Sequence, residues 1–149
     1  MTEIPPQVSR RTESVILKPG SGKVGLQDRK RLRRIVQDVQ IFDARSSVEF
    51  EGTDLKGNAR GGHLPDAAHL AHDALLDGSF LRPAAELAQL LDDAQIDGSK
   101  PIVSHCNGGG RAALAALAAV VAGRENVHVY YLSFADWAAD EACPIAQGN

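Results

Sequence analysis

The stretch Pro101-Ile102-Val103-Ser104-His105-Cys106-Asn107-Gly108-Gly109-Gly110-Arg111, followed by the eleven apolar residues Ala112 to Ala122, decides the fold. It reads as a strand, a glycine-rich loop and a helix, with a cysteine at the strand's carboxyl end. Three consecutive glycines let successive amides turn into one concavity, a nest for negative charge. The following helix adds its free N–H groups and the positive end of its dipole. Both features favour a thiolate, so Cys106 is expected to ionise more readily than a free cysteine. Ala112–Ala122 is apolar on every side, which predicts a helix buried all round and ended by Gly123.

Outward from that stretch, short strands alternate with helical segments. Val39–Phe42, Ala68–Leu70, Pro101–Ser104 and Val127–Tyr131 read as strands. Ser46–Glu51, Pro83–Leu91 and Phe134–Glu141 read as helices, the first with a serine cap and the second with proline at its start. Gly52 to Arg60 has turn chemistry almost throughout and is expected to be a loop. Strands separated by helices predict an α/β domain: a parallel sheet of about five strands flanked by helices on both faces. In such sheets ligands collect beyond the carboxyl ends of the strands, where Asp43, Cys106 and Tyr131 all fall.

The chain of 149 residues is of single-domain size, with 44% hydrophobic and 23% charged residues, as in a soluble globule. Two cysteines, Cys106 and Cys143, exclude a disulfide scaffold. No run approaches the roughly 18 apolar residues of a membrane helix, and no secretory signal is visible, so a cytoplasmic, non-membrane protein is expected. Charge is uneven: residues 1–36 carry a net +6 and residues 37–149 a net −9. Residues 1–25 read as a basic, polar arm and 26–149 as the folded domain. Arg29 to Arg34 reads as a short helix with Leu26, Leu32, Ile35 and Val36 facing inward. Without interleaved aromatics its basic face is read as solvated, not as a nucleic-acid site.

Asp43-Ala44-Arg45, Gly62-His63-Leu64-Pro65 with Ala67-Ala68, the loop Cys106–Arg111, and Val129 through Trp137 resemble the successive signatures of a rhodanese domain. The resemblance runs from about Val39 to Ile145 and is closest to the catalytic, C-terminal half of thiosulfate and 3-mercaptopyruvate sulfurtransferases. It implies that Cys106 is the nucleophile, which takes sulfane sulfur as a persulfide and passes it to cyanide or a thiol. No metal or organic cofactor is implied. The amides of Asn107, Gly108, Gly109, Gly110 and Arg111 would hold the persulfide, and Arg60 and Arg111 would bind the anionic donor. Asp43, Arg45 and His63 would support the site.

Thiosulfate is favoured as donor, with mercaptopyruvate, or a module that carries sulfur or binds a partner without turnover, as alternatives. The noncatalytic half that accompanies such domains is missing, so a homodimer or a partner chain is expected to cover the face it would occupy. Phosphatases and arsenate reductases use His-Cys-x5-Arg, whereas Arg111 here follows only four intervening residues and Ala112 occupies the phosphatase position. Asp66 and Tyr131-Leu132 depart from the family pattern, in which glycine follows Pro65 and an Asp-Gly pair precedes Ser133; Asp66 is expected to add negative charge near the site. His69 and His72 lack the further ligands a metal centre needs. Alternation along the strand turns His105 away from Cys106. Trp137 is read as a core or rim aromatic, and Cys143 as a partly exposed structural thiol.

Overall fold

The computed structural model describes residues 22–148. A five-stranded, fully parallel sheet runs in the order β1 (Val24–Gln27), β7 (Val127–Tyr130), β6 (Ile102–His105), β2 (Gln40–Asp43), β3 (Ala68–His69). Side chains alternate across it. Phe42, Ile102, Val127 and Val129 face a core shared with helices α3 (Ala84–Asp93) and α4 (Gly110–Val121). Ile41, Val103 and Tyr130 face a second core with α1 (Arg29–Ile35) and α5 (Ser133–Ala139). Helices therefore cover both faces, as the alternating pattern predicts. Every residue of β6 is buried, which suits the central strand of a parallel sheet.

Three expectations change. The arm read over residues 1–25 ends earlier, because β1 starts at Val24 and pairs with β7 at the sheet edge. The rest of that arm, through residue 21, lies outside the described residues. Leu26 belongs to this edge strand and not to the basic helix, so it faces outward at 68% exposure, while Leu32 and Val36 are buried. Helix α4 is not buried all round: Ala112, Ala115, Ala116, Ala118 and Ala119 pack inward, but Leu117 is 50% exposed and Val121 also faces out.

Helix α2 (Ser47–Glu51) begins at Ser46, whose N–H and hydroxyl both donate to the Glu49 carboxylate, 3.1 and 2.8 Å away. A 3₁₀ turn over His72–Leu75 leads into an antiparallel hairpin, β4 (Leu76–Asp77) with β5 (Phe80–Leu81). Among the described residues, no helix is long and apolar enough to cross a membrane.

Candidate active site

Cys106 follows β6 directly and is 2% exposed. The Gly109 amide donates to its sulfur at 3.0 Å. Gly109 has φ of 114°, and a Cβ there would lie 2.4 Å from the Tyr131 carbonyl oxygen, so only glycine fits. Burial raises the pKa of the Cys106 thiol, but the amides of Gly109 and Ala112, the Ser133 hydroxyl and the Gly108 amide outweigh it. The net direction is down from the ordinary thiol value. The amide of Ala112, one residue past the expected 107–111 set, thus belongs to the cradle. Asn107 contributes differently: its side-chain oxygen accepts from Asn58 Nδ2 at 2.7 Å, tying the 52–60 loop to the cysteine loop. Gly110 opens α4.

Ser133 completes the cradle from the far side. Its hydroxyl oxygen accepts the Cys106 N–H at 3.1 Å, and the hydroxyl lies 3.0 Å from the Tyr130 carbonyl and 3.8 Å from the sulfur. Ser133 takes a left-handed φ of 59° to do so. Helix α5 then starts without a side-chain cap; its Phe134 and Ala135 amides donate to the carbonyls of Cys106 and Asn107 at 2.9 and 3.1 Å.

Arg111 does not reach out to solvent. Its two terminal nitrogens donate to the Glu49 oxygens at 2.8 and 2.9 Å. Burial works to raise the Glu49 carboxyl, yet Arg111 and Ser46 bring it down from 4.5 to about 2. Hydrogen bonding to Glu49 holds the Arg111 guanidinium above its ordinary value, and the Cys106 charge beside it adds to this.

Arg60 requires a correction. The resemblance sets it at the donor, but its guanidinium is spent on four backbone carbonyls, those of Ala138, Cys143, Trp137 and Asp140, at 3.0, 3.0, 3.2 and 2.6 Å. It caps the carboxyl end of α5, where unpaired carbonyls favour a cation.

Asp43 and Arg45 form a buried bidentate pair, with Arg45 Nη2 2.7 Å from Asp43 Oδ2 and 2.7 Å from the Gly62 carbonyl. Burial disfavours the Asp43 charge, but His105, whose Nε2 lies 3.4 Å away, and the Arg45 guanidinium together hold its carboxyl below the ordinary range. The Arg45 guanidinium also lies 4.0 Å over the Phe134 ring. His63 stacks on Phe50 at 3.8 Å and donates from Nδ1 to the Phe50 carbonyl, 2.8 Å away. These three residues tie strand ends to the 52–62 loop. His105 points to the face opposite Cys106, stacked near Phe134; its Nδ1 lies 3.0 Å from the Cys106 carbonyl, and burial pushes its pKa down.

Two further readings change. Cys143 is fully buried, not partly exposed, and burial pushes its thiol up. Asp66 does not sit near the sulfur: it precedes β3 and lines a cleft with Gln37 and Lys100, at the amino ends of the strands. Among the described residues, no group of three or more His, Cys, Asp or Glu is placed to hold a metal ion. Glu49, Asn58 and Ser133 were absent from the expected site. Ser46-x-x-Glu49 is visible as a capping box, but nothing in local sequence ties Glu49 to a residue 62 positions away.

Fold and site together define an α/β domain organised around one cysteine loop at the carboxyl edge of a parallel sheet. The chain belongs to the rhodanese-like domain family, whose model matches residues 28–140. It is 34% identical over 109 residues to the thiosulfate sulfurtransferase of Azotobacter vinelandii, covering 72% of this chain and 40% of that protein. It is 32% identical over 109 residues to the thiosulfate/3-mercaptopyruvate sulfurtransferase 1, mitochondrial, of Arabidopsis thaliana, covering 71% of this chain and 29% of that one. The crystal structure of Tum1 protein from Saccharomyces cerevisiae superposes with a TM-score of 0.72 at 28% identity, over 83% of this chain and 46% of that one. The chain thus spans less than half the length of these relatives.

Proposed function

We propose that the protein is a sulfurtransferase in which Cys106 carries the sulfur as a persulfide. The observation that carries this reading is the cradle of Gly108, Gly109 and Ala112 amides with the Ser133 hydroxyl, which lowers the thiol's pKa against its burial. The Cys106 thiolate attacks the outer sulfur of thiosulfate. An S–S bond forms, the donor's S–S bond breaks, and sulfite leaves with the electron pair. Cyanide or a thiolate then attacks the terminal sulfur, and the Cys106 thiolate is released with its electrons. The same amides face negative charge before and after each transfer, so stabilisation follows the sulfur. The alternative with the same His-Cys beginning, phosphoryl transfer, has less support. Here the loop cation is paired with Glu49, and the loop is one residue short of the phosphatase spacing.

The test is mass spectrometry of protein treated with thiosulfate. Wild type should gain about 32 Da, one sulfur atom, on Cys106 and lose it to cyanide as thiocyanate. Cys106→Ser should do neither. Thiocyanate production by Cys106→Ser, or hydrolysis of aryl phosphates that depends on Cys106, would overturn the assignment.

A further inference from the structure

Dianionic donors call for a free cation, and among the described residues each cation of the segments bonded to the loop already has a partner. Among the described residues, segments 43–51, 52–63 and 130–139 hydrogen-bond to the cysteine loop. With the loop itself they contribute four guanidinium or ammonium groups: Arg45, Lys56, Arg60 and Arg111. Arg45 is held by Asp43 at 2.7 Å and Lys56 faces Asp54 at 3.4 Å. Arg60 is spent on carbonyls. Arg111, the cation of the loop itself, meets Glu49 through two bonds.

Glu49 cannot swing aside to water. It is 1% exposed, and Ser46 holds it by two further hydrogen bonds. The pair is therefore a fixed, nearly neutral unit beside the sulfur. What remains for an incoming anion is a set of amide dipoles already facing the thiolate. A donor with two charges adds repulsion that dipoles alone offset poorly. Tyr131, whose carbonyl packs on Gly109, and Leu132, between β7 and the Ser133 turn, are exposed beside the loop.

We infer that the Glu49–Arg111 pair makes this site select organic sulfane-sulfur donors carrying a single negative charge over the thiosulfate dianion. The inference rests on the sulfur-transfer reading and specifies its donor. For a thiosulfonate, R–SO₂–S⁻, the Cys106 thiolate attacks the terminal sulfur, the donor's S–S bond breaks, and the sulfinate R–SO₂⁻ leaves with the electron pair. One negative charge enters on the donor and one leaves on the sulfinate. Glu49 acts as a positioning residue, through Arg111.

The test uses thiosulfate and methanethiosulfonate, which differ by one charged oxygen replaced by a methyl group. For each, kcat/KM is measured with cyanide as acceptor, and the ratio of the two is normalised to their reaction with a free small thiolate. Wild type should favour methanethiosulfonate by about tenfold or more after normalisation. Glu49→Gln, which frees the Arg111 charge, should move the ratio toward thiosulfate by a similar factor. Arg111→Gln should move it the other way, and the double variant should return close to wild type. Arg111→Gln read alone carries the test if Glu49→Gln does not fold. A normalised preference for thiosulfate in wild type, or a ratio that neither variant moves beyond about twofold, would overturn the inference. If wild type forms no Cys106 persulfide from either donor, the sulfur-transfer reading itself fails, and that outcome is distinct from a wrong charge preference.

Discussion

Replacing Arg60 with alanine removes a guanidinium that donates to the carbonyls of Trp137, Ala138, Asp140 and Cys143. These acceptors close α5 and the turn after it, and the fully buried Trp137 and Cys143 lie in the second core. A hydrogen bond to a charged donor is worth about 1.5–3 kcal/mol, but Arg60 is half-buried and water would take over some of its acceptors. Arg60→Ala should therefore cost about 2–4 kcal/mol rather than the sum over four bonds. For a domain of this size that is a drop in Tm of about 6–15 °C. The assay is thermal unfolding followed by circular dichroism, beside donor kinetics at a temperature where both proteins are folded. The expected result is a large loss of stability with donor KM close to wild type. A Tm within about 2 °C of wild type together with a tenfold rise in donor KM would refute the reasoning and return Arg60 to the donor site.

Ser133→Ala should move the pH midpoint of Cys106 alkylation by iodoacetamide upward, because it removes the hydroxyl that helps lower the thiol. Ser133→Gly, which also relieves the φ of 59°, should move it equally, and an unchanged midpoint in both would exclude Ser133 from the cradle. Alkylation of the folded protein should label Cys106 and spare Cys143, which is fully buried with its thiol pushed up. Two labels per native chain, counted by mass, would show that the two thiols do not differ in this way. Glu49 has its pKa lowered from 4.5 to about 2, so the stability it contributes is present above its unfolded pKa and is lost as pH falls from about 5 toward 2. Glu49→Gln should flatten that acid limb in urea titrations, and an unaltered slope would show that Glu49 is not held as described.

The features that depend on local pattern were legible. The β6–loop–α4 unit, the parallel sheet and the helix opened by Ser46 follow from hydrophobic runs, glycine placement and a capping sequence. Features that depend on side-chain direction over distance were not. Arg60 sits just before Gly-His in sequence, yet the path of the 52–60 loop turns it to the far end of α5. Alanine-rich α4 carries little periodic signal, so its outward line at Leu117 and Val121 could not be separated from its buried alanines. The hairpin at 76–81 carries a local signal, the glycine-first turn Gly78-Ser79 between Leu76-Asp77 and Phe80-Leu81. The pairing of Glu49 with Arg111 needed the fold itself.

Beyond the Ser133 hydroxyl, the opening turn of α5 acts on the sulfur through backbone groups that do not touch it. The Ala135 amide holds the Asn107 carbonyl at 3.1 Å, and in a trans peptide the N–H points opposite to the C=O. Fixing that carbonyl therefore aims the Gly108 N–H inward, and Gly108 is one of the donors that lower the thiol. Phe134 does the same for the Cys106–Asn107 peptide plane, at 2.9 Å. The loop's dipoles are oriented before any substrate arrives, so little reorganisation energy is left to be spent during transfer. Reactivity of the thiol thus depends on the backbone of this helix's first turn as well as on the Ser133 side chain that opens it, and mutations that fray the turn beyond Ser133 should slow the reaction without altering a group at the sulfur.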